Sequence, residues 1–266
     1  MMQVGLPLVY AVFLWWAATG CILYLDGLPS RTFGASVCIA TLALGPTLSA
    51  VHWAAHEPTI AGAFVAFSAA ILVWGWMELT FLTGTITGPR RTACAEGCSG
   101  HRHAIHAVEV ILYHEFAIIA GAAVIAALTW GARNQVALET FMVLWVMRTS
   151  AKLNLHLGVR NLGVGFLPDH LLYLKSFLRR RRMNALFPLS VVLGTAVTVQ
   201  IAGQAAATGA TPFEAVGATL VATLLGLAVL EHGFMMLPLP TERLWQWGFR
   251  SRTEPGTAPA VLQESP

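Results

Sequence analysis

Residues 107–121, AVEVILYHEFAIIAG, place two glutamates and a histidine inside a strongly apolar stretch. Glu109, His114 and Glu115 can exchange protons, pair with cations or bind metal ions, and polar residues inside membrane spans often have such functions. Three other apolar stretches also contain ionisable residues. We treat the whole set as one candidate polar cluster: Glu78, Glu109, His114, Glu115, Arg148, Lys152, His156, Glu231 and His232.

The charges of this set do not balance. Four carboxylates face only two cations, Arg148 and Lys152, so about two negative charges need protonation, a bound cation or a basic ligand. Carboxylates and histidines from several helices are also the ligands of di-iron sites in helical bundles, although the nearest match here, His106-x-x-Glu109, has the reverse order. The candidate metal ligands are Glu78, Glu109, His114, Glu231 and His232.

Two further interpretations of the cluster stay open. A neutral histidine can bind the magnesium of a chlorophyll-type ring, so bacteriochlorophyll and a di-metal centre are both candidate cofactors. The cluster can also be purely structural, a network of hydrogen bonds and ion pairs that fixes helix packing. The structural interpretation is the one that the composition favours, and the residues identify no catalytic group.

The composition predicts the elements that hold these residues. The chain of 266 residues is 56% hydrophobic and 11% charged, whereas about a quarter of the residues of a soluble domain are charged. Lipid offers no partners for backbone amides, so spans of roughly 20 residues must be helices. We predict an all-α fold, a polytopic membrane bundle of about seven helices within one domain, residues 1–240. The predicted spans are 5–25, 33–53, 59–84, 105–130, 136–157, 187–209 and 212–237.

The distribution of basic residues predicts the orientation. Cytoplasmic loops carry an excess of Lys and Arg, and thirteen of the sixteen lie in alternate connections, while Arg133 alone lies in the others. We therefore predict an external N-terminus and a cytoplasmic C-terminus. All the polar-cluster residues then lie in the cytoplasmic halves of their spans. Glu109, His114 and Glu115 would point in three directions, so we expect the fourth span in the middle of the bundle.

Two cytoplasmic segments follow from the same reasoning. In residues 167–182, four leucines recur at helical spacing and predict an amphipathic interfacial helix with a basic end that contacts the membrane surface or a partner. Its membrane-surface residues are Lys175, Arg179, Arg180, Arg181 and Arg182. Residues 241–266 form a cytoplasmic tail that we expect to be disordered at its end.

The loop GPRRTACAEGCSGHRHAIH, residues 88–106, contains soft metal ligands. Zinc could use Cys94, Cys98, His101, His103 and His106, and Cys-x3-Cys is within the range of zinc knuckles. A His-x-His pair so close behind does not follow a common structural-zinc pattern. The favoured interpretation is therefore a flexible polar hairpin whose histidines are solvated or meet lipid headgroups.

Several long strings resemble one known family. They include WGWMELTFLTGTITGPRR (74–91), WVMRTSAKLNLHLGVRNL (145–162), LPDHLLYLKSF (167–177) and LEHGFMMLPLP (230–240). These are similar to the PuhE family of photosynthetic complex assembly proteins of phototrophic bacteria, encoded beside the gene for the reaction-centre H subunit. The resemblance covers nearly all of residues 6–248.

The resemblance implies a function and a location. It implies a multi-pass protein of the bacterial inner membrane, cytoplasmic or intracytoplasmic, that assembles or regulates the reaction centre and light-harvesting complexes or adjusts bacteriochlorophyll supply. The expected partners are membrane lipid, reaction-centre or light-harvesting subunits and pigment-synthesis enzymes, and no nucleic acid. The residues alone leave an alternative, a metal-dependent membrane oxidoreductase acting on a tetrapyrrole, carotenoid or lipid. Whether the protein is an enzyme stays open, with the balance against it.

Overall fold

The computed structural model describes residues 2–237 and 239–252. All regular elements within these ranges are helices, apart from one isolated bridge, which confirms the all-α prediction. Five helices are long and apolar enough to cross a membrane, and a bent pair of helices adds a sixth. The helices are α1 (Met2–Asp26), α2 (Phe33–Ala55), α3 (Ile60–Leu82), α4 (Gly100–Glu109), α5 (Leu112–Leu128), α6 (Val136–Leu157), α7 (Leu186–Ala205) and α8 (Pro212–Phe234).

The sequence predicts seven spans, and the one that is missing from these six is α6. This helix has the predicted bounds and packs inside the bundle against α3, α5 and α8. It is not apolar enough to count among the five because it contains three charged residues, Glu139, Arg148 and Lys152. Arg148 and Lys152 have carboxylate partners on neighbouring helices, which is how so polar a helix is accommodated.

The helices α3 and α8 lie at the centre of the bundle. The prediction that the fourth span lies there was wrong. Most residues of α3 are buried, and it packs against α1, α2, α5, α6 and α8. In contrast, α5 exposes one whole face, including Tyr113, Phe116 and Ile119. The expectation failed because it treated Glu109 and Glu115 as residues of one straight helix.

The predicted fourth span is in fact two helices, α4 and α5, bent by 58° at residues 110–111. The His114 backbone N–H donates to the carbonyl of Thr87, 2.9 Å away, instead of to its own helix. Gly88 lies against the Glu109 carbonyl so closely that a side chain at this position would collide with it. The loop after α3 therefore takes over the hydrogen bonding of the helix at this point, and such insertions are a known cause of kinks.

Local sequence explains several helix ends. Thr59 accepts a hydrogen bond from the Gly62 N–H at the start of α3, and Thr211 with Glu214 forms a capping box at the start of α8. Gly158, with a φ of 122°, follows the last residue of α6. Asn184 accepts from the N–H groups of Leu186 and Phe187 and thereby caps α7.

Residues 167–182 do not form the predicted amphipathic α-helix. Asp169–Phe177 is a 3-10 helix, and the following residues are extended, with a bridge between Val159 and Arg180. Leu171 and Leu174 are buried against protein, in a small core with Phe81, rather than facing lipid. The leucine spacing arises from packing on the end of α3, because a contact inside the protein buries apolar side chains as well as a membrane surface does.

One end of the bundle carries the connections that the sequence predicts to be cytoplasmic, and we call it the basic end. It comprises residues 27–32, 83–99, 158–185, 235–237 and 239–252. Two further 3-10 helices, Thr241–Trp245 and Gly248–Arg252, pack on α1 there. Arg252 binds the buried Asp26 carboxylate at 2.8 Å and fixes this segment. The prediction of a disordered tail concerns residues 253–266, which lie outside the described residues.

Candidate functional site

Two ion pairs join three helices near the basic end. Arg148 and Lys152 lie one turn apart on α6 and so share a face. An Arg148 nitrogen lies 3.0 Å from Glu78 Oε2 on α3, and Lys152 Nζ lies 2.6 Å from Glu115 Oε1 on α5. Within a low-dielectric bundle each cation thus compensates one carboxylate.

A third carboxylate, Glu231, lies at the surface of the bundle beside these pairs. Its Oε1 accepts a hydrogen bond of 3.0 Å from Trp15 Nε1 on α1. Arg148 also attracts this carboxylate at longer range. The Arg148 side chain is 41% exposed, whereas its partner Glu78 is 10% exposed. Glu231 and Arg148 therefore present a polar strip on a part of the surface that apolar helices otherwise form.

A second polar network lies on the opposite face of α6. Ser150 follows Arg148 by two residues, or about 200° around the helix. Its Oγ lies 2.9 Å from Ser190 Oγ on α7 and 2.9 Å from His232 Nε2 on α8. His232 Nδ1 donates to the Ala228 carbonyl, 2.8 Å away. Because a neutral imidazole has one N–H, Nε2 is then the acceptor and His232 has no nitrogen free for a metal.

His114 is fully buried, and neither ring nitrogen has a hydrogen-bond partner among the residues that the structure describes. The ring lies against Phe81, with 4.5 Å between the ring centroids. Glu78 Oε1 and Arg148 Nε are also buried without a protein partner. Buried polar atoms normally have partners, so these atoms are available to water or to a polar group that enters the bundle.

The remaining two residues of the predicted cluster lie outside this group. Glu109 is 39% exposed at the end of α4, and its nearest cation is Arg90 of the preceding loop, at 3.8 Å. His156 donates from Nδ1 to the Phe177 carbonyl at 3.1 Å and stacks on His103. The structure thus joins Glu78, Glu115, Arg148 and Lys152 in pairs, with Glu231 beside them, and holds His232, His114, Glu109 and His156 at separate positions.

The arrangement of the intramembrane polar residues does not suit either candidate cofactor, a di-metal centre or bacteriochlorophyll. Among the described residues, Glu78, Glu109, His114, Glu231 and His232 form no group of three convergent ligands. The two hydrogen bonds of His232 and the enclosure of His114 also leave neither ring accessible to the macrocycle of a bacteriochlorophyll. We therefore derive no chemistry through a di-metal centre or a pigment at this layer.

Comparison with known proteins places the chain in a family. The model of the family described as "Protein of unknown function (DUF3623)" matches residues 1–256. The chain belongs to the DUF3623 family. A relative from Rhodobacter capsulatus, named "Uncharacterized 30.4 kDa protein in puhA 5'region", is 38% identical over 250 residues, which are 92% of this chain and 90% of that protein. No solved structure is significantly similar to the chain.

The basic end of this DUF3623 protein contains an open cleft lined by arginines. Its volume is about 670 Å³, and its lining consists of Arg160, Asn161, Arg180, Arg181, Arg182, Leu239 and Pro240. The Arg180 and Arg181 backbones are held beside the end of α6 by the bridge to Val159, so their side chains start from fixed positions. Lys175 is exposed nearby, and Arg179 is partly covered.

Sequence reasoning missed the Ser150 network and the Trp15 contact. Ser150 and Asn154 are four residues apart and so share a face of α6, and Asn154 Nδ2 donates to Ser190 Oγ at 3.1 Å. That spacing of small polar residues was the available signal, because such residues commonly link membrane helices. No comparable signal pointed to Trp15, which meets Glu231 across 216 positions of sequence.

Proposed function

We propose that this protein is a membrane factor that assists or regulates the assembly of the photosynthetic reaction centre and its light-harvesting complexes. The observation that carries the proposal is its relative in the puhA 5' region of Rhodobacter capsulatus, 38% identical over nearly the whole chain. The motifs that resemble the PuhE family support the same assignment.

The arrangement of charges suits a scaffold better than an enzyme. Glu78 and Glu115 are each bound by a cation, so these carboxylates fix helix positions rather than converge on a reacting group. The alternative, a metal-dependent oxidoreductase, needs several ligands directed at one point, and the intramembrane residues in the described part of the chain do not supply them. The geometry therefore favours assembly or regulation.

The polar strip supports lateral contact with a partner. A charged group that faces hydrocarbon costs about 2.5–3.5 kcal/mol on insertion scales, so Glu231 and Arg148 are unfavourable next to lipid alone. A transmembrane helix of a partner subunit with a polar residue at the same depth would cover the strip and satisfy both groups.

The proposed orientation places the basic end in the cytoplasm of a phototrophic bacterium, with the bundle in its inner membrane. Lys175 and Arg180 to Arg182 then lie at the leaflet surface, where anionic headgroups attract basic side chains by about 1 kcal/mol each. This attraction would hold the protein in a defined position relative to the membrane surface during contact with its partners.

The test uses a phototrophic host in which the gene is deleted and then restored with a tagged copy. We expect the deletion to lower the amount of reaction-centre and light-harvesting complexes, measured by the near-infrared absorption of membranes. We also expect capture of the tagged protein from mildly solubilised membranes to enrich subunits of those complexes or enzymes of pigment synthesis.

Two variants make the test specific. Glu231→Gln removes the exposed carboxylate of the strip and should lower both the recovery of complexes and the capture of partners. Glu139→Gln, an exposed glutamate at the opposite end of α6, should behave as the unaltered protein. Unchanged complexes in the deletion strain, together with no subunit enriched over an unrelated membrane protein, would rule the proposal out.

A further inference from the structure

The loop between α3 and α4 folds against α4 so that three soft ligands face one another, with a fourth beside them. Ligand atoms of Cys94, Cys98 and His106 all lie within 4.8 Å of one another, the one group of this kind that the described residues contain. His103 Nδ1 lies 3.3 Å from Cys94 Sγ, at the edge of the group. His101, on the same helix, is exposed and outside the group. This result contradicts the interpretation of the loop as a hairpin whose histidines are all solvated.

The distances match the edges of a zinc tetrahedron. Zn–S bonds of about 2.3 Å and Zn–N bonds of about 2.0–2.1 Å at tetrahedral angles place a sulfur and a nitrogen ligand about 3.5 Å apart. His106 Nδ1 lies 3.5 Å from Cys94 Sγ and 3.4 Å from Cys98 Sγ. The third sulfur–nitrogen distance, 3.3 Å from His103 to Cys94, is similar. A metal ion therefore needs little rearrangement of Cys94, Cys98 and His106, whereas His103 must move closer to the rest of the group to become the fourth ligand.

The backbone explains why these residues converge. Gly97 has a φ of 78°, a conformation that glycine adopts readily, and the Cys98 N–H donates to the Ala95 carbonyl at 3.1 Å. This turn directs both thiols to the same side. His103 and His106 lie three residues apart on α4 and so on one face, directed at the thiols.

The surroundings hold two of the ligands in place. His103 is 5% exposed, and its ring stacks on Phe177 at 5.6 Å and on His156 at 5.4 Å between centroids. The Cys94 N–H donates to Ser176 Oγ at 2.9 Å. The group therefore connects the loop and α4 to the end of α6 and to the 3-10 helix Asp169–Phe177.

We propose that Cys94, Cys98, His106 and His103 bind a divalent cation of the zinc class. Thiolate and imidazole ligands select zinc over magnesium or calcium, and four protein ligands close the coordination shell. The site is then structural rather than catalytic. It holds the loop whose Thr87 and Gly88 produce the bend between α4 and α5, and so stabilises the basic end independently of the proposed function.

The two thiols have two alternative fates. A metal ion deprotonates its thiol ligands on binding, so both cysteines would bind the cation as thiolates. A disulfide between the two cysteines would be the competing outcome.

The test measures the metal content of the full chain purified in mild detergent after growth with zinc. We expect about one zinc per chain, at least a fivefold loss in Cys94→Ser and Cys98→Ser, and a similar loss in His106→Ala. His103→Ala should retain zinc at purification but lose it to a chelator at least tenfold faster. His101→Ala, the matched control, should equal the unaltered protein.

A second measurement does not depend on whether the variants fold. The unaltered protein, stripped by chelator and titrated with Co²⁺ alone, should develop the thiolate charge-transfer and intense visible bands of a tetrahedral site. Zinc content equal in the unaltered protein and a Cys94→Ser/Cys98→Ser double variant would overturn the proposal. A Co²⁺ spectrum without thiolate bands, or a mass of the purified chain that shows a Cys94–Cys98 disulfide, would overturn it as well.

Discussion

Lys152 Nζ lies 2.6 Å from Glu115 Oε1, and this ion pair joins α6 to α5 in an apolar part of the bundle. One turn earlier on the same face, Arg148 holds Glu78 of α3. The charges of α6 therefore determine how three helices are placed relative to one another. This role explains why a chain with so few charged residues has both cations on α6.

Removal of one member of the Lys152 pair should cost more than removal of both. Lys152→Met leaves the Glu115 carboxylate without a cation inside the bundle, and we expect a loss of about 3 kcal/mol in the free energy of unfolding. Lys152→Met/Glu115→Gln removes the uncompensated charge and should recover more than half of that loss. The measurement is unfolding in mixed detergent micelles. A double variant no more stable than Lys152→Met would contradict the prediction that the uncompensated Glu115 carboxylate causes the loss.

Arg252 should control whether residues 241–252 stay packed on α1. Its guanidinium binds Asp26, whose carboxylate is fully buried, and also donates to the Gly165 and Phe166 carbonyls. Arg252→Gln leaves a buried carboxylate without its cation, so we expect the segment to detach and chymotrypsin to cleave near Trp245 at least fivefold faster. Arg243→Gln, an exposed arginine of the same segment, provides the comparison. Unchanged cleavage in Arg252→Gln would contradict the role assigned to the ion pair.

The arginine cleft should retain anionic lipid. Replacement of Arg180, Arg181 and Arg182 by glutamine removes three charges worth about 1 kcal/mol each at a membrane surface, so anionic lipid bound after purification should fall at least tenfold. Native mass spectrometry of the detergent-purified protein counts these lipids. Raising the salt concentration should weaken the binding in the unaltered protein. Arg133→Gln, at the opposite end of the bundle, should leave it unchanged, and equal retention by both variants would exclude the cleft as the binding site.

Much of the fold could be predicted because a membrane leaves few choices. A long apolar stretch in lipid must satisfy its own backbone hydrogen bonds, so it forms a helix about as long as the bilayer is thick. The predicted spans 33–53 and 59–84 correspond to α2 and α3 within about two residues, and 136–157 is α6 itself. Charged side chains are also energetically unfavourable in lipid, so the sequence predicts that they pair with one another. Glu78 and Arg148 form such a pair.

The features that could not be predicted all depend on contacts between distant residues. The bend before α5 arises from the Thr87 carbonyl and from the close approach of Gly88, and neither contact has a periodic signal. Glu109 was grouped with the buried charges by its depth in an assumed straight helix, but the bend moves it to a position near Arg90. The ligand group around His106 was similarly hidden, because α4 begins only at Gly100 and its direction decides which histidines face the thiols.

Asn184 should link the end of α6 to the start of α7 through two separable interactions. Its amide donates to the Asn154 and Gly158 carbonyls, at 3.2 and 2.9 Å, while its Oδ1 caps the first N–H groups of α7. Asn184→Ala removes both interactions, and we expect a loss of about 2 kcal/mol in the free energy of unfolding. Asn184→Ser keeps a side-chain oxygen that can cap α7 and removes the two donated hydrogen bonds, so it should lose about 1 kcal/mol. The same micelle unfolding measurement compares them, and identical losses in the two variants would show that the cap on α7 contributes nothing.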